Sequence, residues 1–156
     1  MTAMKEIKII TTQAQHAATI REKVRMEDIS LAMGRVYGEL SEFIMRKKLQ
    51  VVGPPFTYYH SWSDDCIDLE CGFPVSGPIE GDSRIKPFAL PSVRAAMATH
   101  VGPYHRLGET YAIVEKFIRS SNLVPAPYMW EKYLNEPGKV PDEQLLTEIY
   151  WPIEEQ

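Results

Sequence analysis

Glu70-Cys71-Gly72-Phe73-Pro74-Val75 and Glu148-Ile149-Tyr150-Trp151-Pro152-Ile153 follow one pattern: a glutamate, two variable positions, an aromatic residue, proline and a β-branched residue, 78 positions apart. Working outward, Tyr37, Phe43-Ile44 and Leu49 correspond to Tyr111, Phe117-Ile118 and Leu123 at an offset of 74. Further upstream, Ala17-Ala18-Thr19-Ile20 resembles Ala95-Ala96-Met97-Ala98 at an offset of 78. Three blocks in the same order make the chain a duplication, and a repeat constrains the fold more tightly than local propensity does.

Within the first copy, Ile29, Met33, Val36, Leu40 and Phe43 or Ile44 recur at spacings of four and three, which predicts an amphipathic helix over about 29–48 with Asp28 as N-cap. Gly34 and Gly38 would let this helix sit close to a sheet. In the second copy Gly102-Pro103 opens a helix carrying Leu107, Tyr111, Val114 and Ile118 and ending near Ser121. Strands show the other period. Ile67, Leu69, Cys71, Phe73 and Val75 alternate with Asp68, Glu70, Gly72 and Pro74; Ile149, Trp151 and Ile153 alternate with Glu148, Tyr150 and Pro152. Segments 4–10, 16–24, 56–62, 86–89 and 93–101 also read as strands, and Pro54-Pro55, Gly77-Pro78, Gly81-Asp82 and Pro137-Gly138 as loops.

Each copy is then β-α-β-β, over about 1–77 and 85–156, joined by a Gly-, Pro- and charge-rich connection around 77–86. One helix covers only one sheet face, so two copies side by side form the natural closed arrangement. The expected fold is α+β, a single domain over 1–156. It is a tandem β-α-β-β pseudo-repeat whose antiparallel sheet carries two helices on one face and leaves a ligand cleft on the other, or near the pseudo-twofold axis.

Hydrophobic residues at 44% and charged residues at 24% of the 156 positions describe a chain able to bury a core, against a disordered or fibrous one. The formal charge of -4 supplies no bulk attraction to nucleic acid. No run approaches 18 apolar residues, and Met1 to Lys8 lack the apolar stretch of a signal peptide, so a cytoplasmic protein without membrane contact is expected. Cys66 and Cys71 lie an odd number of residues apart on one strand and face opposite ways, which predicts free thiols. With His60, Asp64 and Asp65 they do not make a metal-ligand pattern, and no metal or cofactor is expected.

The face opposite the core mixes acids with rings. Glu70, Glu148 and Tyr150 project there, and neighbouring loops are expected to add Tyr58, Tyr59, Trp62, Tyr128, Trp130, Glu131 and Tyr133. Ring faces attract cations, and a carboxylate inside an aromatic wall partners a charge that has left water, so large, flat, lipophilic cations fit such a surface.

Ala95 to Tyr104 (AAMATHVGPY), Trp130-Glu131-Lys132-Tyr133-Leu134 and the ending Glu148-Ile149-Tyr150-Trp151-Pro152-Ile153 together resemble the GyrI-like family. Its members include the small-molecule-binding domains behind the DNA-binding regions of AraC-type and MerR-type multidrug regulators. The resemblance covers essentially the whole chain. It implies a tandem β-α-β-β fold and an aromatic-lined cleft with a buried acid that selects cations. Carried over by motif, that acid is Glu148 or Glu131, with Glu148 favoured because its strand position is better determined. No helix-turn-helix pattern precedes the first strand, so a stand-alone module without direct DNA binding is expected.

Three functions fit this fold, since fold alone does not decide function. The first is a binding module for lipophilic, cationic or aromatic small molecules, acting as a sensor or by sequestration. Its ligand-binding residues would be Glu148, Glu131, Tyr150, Trp130, Tyr58, Trp62, Tyr111, Tyr37 and Glu70. The second is a hydrolase of strained electrophilic natural products, in which Glu148 or Glu131 handles water while Tyr150, Tyr111 or Tyr37 donates to a developing anion. The third, implied by gyrase-inhibiting relatives, is a protein inhibitor, with gyrase or a regulator as partner and Ser63-Asp64-Asp65 as an acidic contact. No Gly-x-Ser-x-Gly elbow occurs, and His60, His100 and His105 lie near no nucleophile motif, which favours binding over turnover. His100 and His105 read as solvent-facing residues at a strand end and a helix start.

Overall fold

The computed structural model describes residues 3–4 and 6–155. Among the described residues the elements run β1 (Ala3–Met4), β2 (Lys8–Thr11), β3 (Gln15–Arg25), α1 (Ile29–Lys47), β4 (Phe56–Trp62), β5 (Cys66–Pro74) and β6 (Ile85–Leu90). They continue with β7 (Arg94–Val101), α2 (Leu107–Ser120), β8 (Leu123–Pro125), β9 (Met129–Tyr133) and β10 (Leu146–Glu155). The ladders of these strands are antiparallel and the helices are segregated from them, an α+β fold as expected. The strand expected over 4–10 is split into β1 and β2. Lys5 lies outside the described residues, as do Met1, Thr2 and Gln156 at the ends of the expected domain. Among the described residues no helix is long and apolar enough to cross a membrane, and Cys66 and Cys71 are thiols rather than a disulfide pair.

The chain divides into two compact units, Gln13–Ser92 and Met1–Thr12 with Val93–Gln156. In the first, the ladder order is β4-β5-β3-β6, and α1 packs on β3 and β5 through Ala32, Val36, Leu40, Phe43 and Ile44. Burying each of the four larger side chains contributes about 1.5–3 kcal/mol before entropy is set against it. Asp28 caps nothing with its side chain, because a 3-10 turn over Met26–Asp28 feeds directly into α1. Gly34 and Gly38 lie on the exposed side of α1 with open space where a Cβ would stand, so they do not bring the helix closer to the sheet. In the second unit β10 lies between β7 and β9, β1 and β2 pair with the other side of β7, and α2 buries Leu107, Thr110, Val114 and Ile118.

The two ladders superimpose on the sequence repeat. Ala17 pairs with Pro74 and Thr19 with Gly72, just as Ala95 pairs with Pro152 and Met97 with Tyr150. The short strands before each copy, however, are exchanged. Lys8, Ile9 and Ile10 face Met97, Ala96 and Ala95 of the second copy, whereas Lys86, Pro87 and Phe88 face Thr19, Ala18 and Ala17 of the first. Thr12 ties the exchange down: its amide donates to Val93 O at 2.8 Å, and the Val93 amide returns a bond to Thr12 Oγ1 at 2.9 Å. The compact units accordingly divide at 12/13 and 92/93.

Two stability predictions follow from the first unit. A Cβ on Gly72 would stand 2.6 Å from Thr19 Cγ2, 2.8 Å from Phe56 Cζ and 2.9 Å from Ala18 O. Gly72→Ala is expected to destabilise by about 1–3 kcal/mol in urea denaturation, as overpacking does. Glu22 accepts two bonds from Arg35, at 2.8 and 3.1 Å. This bonding holds its carboxyl below the ordinary 4.5, with Arg84 assisting and burial opposing. Its stabilising share is present above pH 4.5 and is lost as the pH falls through the depressed native value. Denaturation midpoints measured from pH 6 to pH 3 should therefore fall less steeply for Glu22→Gln than for the wild type.

Candidate functional site

In the unit containing Val93–Gln156, strand parity sorts the polar groups. Thr147, Ile149 and Trp151 share the α2 side of the sheet with their ladder partners His100, Ala98 and Ala96, while Glu148 and Tyr150 occupy the opposite side with Thr99 and Met97. On β9, Trp130 and Lys132 stand across from Tyr150 and Glu148, whereas Glu131 and Tyr133 stand across from Ile149 and Thr147. Trp130, Glu131 and Tyr133 thus come from a strand, not a loop, and Glu131 lies on the other side of the sheet from Glu148.

On the side away from α2, the Trp130 and Tyr150 rings stack at 5.7 Å and 13°. The Tyr150 hydroxyl donates to Glu148 Oε1 at 2.8 Å, and Lys132 Nζ sits 4.8 Å over the Tyr150 ring. Burial, with the Glu148 charge adding to it, pushes the Tyr150 phenol well above its ordinary range. Burial lowers the Lys132 ammonium while Glu148 raises it. Glu148 is half-buried and already faces a cation across the ladder. Trp130 is only 1% exposed, a wall against Tyr150 more than an open surface.

On the α2 side Glu131 is 2% exposed. Its Oε2 accepts from the Tyr111 hydroxyl on α2 and its Oε1 accepts from the Tyr133 hydroxyl at 2.8 Å. The Tyr104 ring packs on Tyr133 at 5.8 Å, and its phenol is raised by burial, with the Glu131 charge as a second cause. His100, expected to face solvent, is fully buried, because its place on β7 turns it toward α2. Its Nε2 lies 3.1 Å from Pro103 O, which can only accept, so Nε2 carries a proton, and Nδ1 lies 2.7 Å from the Thr110 hydroxyl. His105 is exposed as expected.

In the unit Gln13–Ser92, Glu70 is 7% exposed and accepts from the Thr19 hydroxyl, with His60 Nε2 2.7 Å from its Oε1. Tyr58, Tyr59 and Trp62 lie on β4, the strand expected over 56–62, rather than in a loop beside it. The Tyr58 ring packs against His60 at 4.7 Å and Phe88 at 5.2 Å, and Trp62 is exposed at the end of the strand. Tyr37, on α1, donates to Phe56 O and lies 3.0 Å from Thr57 Oγ1. Ladder register makes Thr57 the counterpart of Glu131, so the helix tyrosine reaches a hydroxyl in one copy and a carboxylate in the other. Tyr104, His100, Lys132 and Thr147 join these groups without a motif that marks them in the sequence. Alternation along β7, β9 and β10 is the signal that places them.

The profile of the GyrI-like small molecule binding domain matches residues 5–154. The C-terminal domain of EcmrR is similar in structure, with a TM-score of 0.87 at 19% identity, over 97% of this chain and 98% of that one. The chain spans 58% of the length of EcmrR as it stands in its complex with DNA. SAV2435 bound to tetraphenylphosphonium gives a TM-score of 0.67 at 15% identity, over 96% of this chain and 94% of that one. A hydrolase from Listeria innocua gives 0.70 at 16% identity, over 96% and 92%. At these identities the likeness is one of fold. Curated proteins give no match.

The Tyr150–Glu148 pair is open to titration. With tyrosines labelled at the ring carbon that bears the hydroxyl, Tyr150 should remain a phenol at pH 10, where an ordinary tyrosine is half ionised. In Glu148→Gln it should titrate at lower pH than in the wild type. An unshifted Tyr150 titration in that variant would show that Glu148 does not hold the proton there.

Proposed function

This chain belongs to the GyrI-like small-molecule-binding family, and from that premise we propose that it binds lipophilic aromatic cations, with Glu131 as the acid that selects charge. The observation that supports Glu131 is its setting: a carboxylate 2% exposed, accepting tyrosine hydroxyls on both oxygens, with a third tyrosine ring beside them. A carboxylate that only accepts presents negative charge to what enters, and the surrounding rings offer their electron-rich faces to a cation. Glu148, favoured from the sequence, is the weaker candidate. It is more exposed and faces Lys132, so an incoming cation would compete with a resident one. The neighbour SAV2435, bound to a bulky lipophilic cation, is consistent with this ligand class.

The test uses two probes of one shape and opposite charge, tetraphenylphosphonium and tetraphenylborate, titrated calorimetrically. The wild type should bind the phosphonium and reject the borate. Glu131→Gln keeps the shape and removes the charge, which should weaken phosphonium binding by about 10- to 150-fold, the worth of a charge-assisted contact of about 1.5–3 kcal/mol. Glu148→Gln should change it by less than about threefold, within the range of an exposed ion pair. If the larger loss fell on Glu148→Gln, the selecting acid would lie on the other side of the sheet. Enzyme-dependent consumption of a cyclopropane-bearing electrophile, abolished in Glu131→Gln, would replace binding by hydrolysis.

A further inference from the structure

Thr147 is fully buried, and its Oγ1 has no hydrogen-bond partner among the described residues. A hydroxyl in that position loses water without replacement, a cost that native structures seldom carry without reason. Its place is defined by two ladders: it stands opposite His100 on β7 and opposite Tyr133 on β9, on the α2 side of the sheet. His100 cannot serve it, since both ring nitrogens are engaged with Thr110 and Pro103. Glu131 is its diagonal neighbour on β9, which puts the two residues about 7–8 Å apart with their Cβ atoms somewhat closer. Tyr104, 36% exposed and packed on Tyr133, marks the solvent end of the same group.

The other copy acts as an internal control. The ladder registers match Thr147 with Leu69 and Glu131 with Thr57, and the helix offset matches Thr110 with Val36. Leu69 and Val36 are fully buried in the same architecture. The fold therefore accepts an aliphatic side chain where the second copy has an unsatisfied hydroxyl, so packing does not account for Thr147.

We infer that Thr147 is a specificity contact, its Oγ1 accepting an N–H from a cation whose charge is spread over several ångströms and lies against Glu131. The site then prefers protic cations, such as aryl amines whose N–H shares the charge, over their fully alkylated equivalents. This rests on the reading of Glu131 as the selecting acid.

Rhodamine 123 and tetramethylrhodamine methyl ester test it. Both are methyl esters of one xanthene skeleton with the same charge, and they differ in carrying amino or dimethylamino groups. Measured by fluorescence anisotropy, the wild type should bind rhodamine 123 about three- to tenfold more tightly, the range of one net hydrogen bond. Thr147→Val keeps the shape, so any steric exclusion of the methyl groups persists; the preference should nevertheless vanish, and Thr147→Ser should retain it. Without ligand, the melting temperature of Thr147→Val should equal or exceed that of the wild type. The proposal is overturned if the wild type shows no preference, if Thr147→Val keeps it, or if Thr147→Val melts lower as though a satisfied hydrogen bond had been lost. It is also overturned if neither rhodamine binds. Tetraphenylphosphonium separates the two readings: it has no N–H, so its affinity should ignore Thr147→Val while still depending on Glu131.

Discussion

The pairing of β10 between β7 and β9 decides on which side of the sheet every polar group of the second half lies. A slip of one residue would carry Glu148 and Tyr150 under α2 and turn Ile149 and Trp151 away from it. Several bonds oppose that slip. Trp151 Nε1 donates to Ala126 O at 2.9 Å, the Ala126 amide donates to Pro152 O at 2.9 Å, and the Gly102 amide donates to Leu145 O at 2.9 Å. Gly102 takes φ of +136°, a conformation that suits glycine, and so turns the chain from β7 toward α2. The same turn supplies Pro103 O to His100, which links strand, turn and helix into one support for Tyr111.

The two copies solve one packing problem from opposite ends. In the first, Gly72 leaves room for the Phe56 ring to lie over the strand, where it meets Phe88 at 6.3 Å. In the second, the counterpart of Gly72 is Tyr150 and that of Phe56 is Trp130, and the rings stack instead. The exchange of β2 and β6 gives each copy's first long strand a partner that precedes the other copy in sequence. The first long strand of each βαββ segment thus has one ladder partner from outside that segment.

Much of this was legible in the sequence. The Glu-x-x-aromatic-Pro blocks fix equivalent ladder positions, the apolar stripes at three and four residues became α1 and α2, and the alternation around Glu148 assigned its side of the sheet. What escaped has identifiable causes. β9 is five residues between proline-rich turns, too short for alternation to declare itself, so the sequence pattern points to a loop at Trp130 and Glu131 and hides their opposite parity. His100 sits near a strand end, where solvent is the ordinary expectation, and only the return of α2 over β7 buries it. The strand exchange leaves no local trace, because β2 and β6 carry the same pattern whichever copy they complete.

Comparison of the halves narrows where chemistry resides. A buried polar group costs free energy unless it is satisfied, so a fold that manages without it in one copy reveals what the other copy holds for a different purpose. Glu22, Val36, Thr57 and Leu69 are the first-half counterparts of His100, Thr110, Glu131 and Thr147. One is an ion-paired residue near the surface, two are aliphatic and one is a threonine. The second half replaces them with an imidazole, two hydroxyls and a carboxylate, all buried under the helix that carries Tyr111. Glu70 shows that burial of an acid is not by itself the mark of a cation site: one of its oxygens lies against the His60 ring nitrogen, a group that can carry a proton, whereas both oxygens of Glu131 accept from neutral tyrosine hydroxyls. What sets the Glu131 group apart is that it departs from its own duplicate at four positions at once and still leaves one hydroxyl without a partner among the described residues, the condition that the proposed ligand would meet.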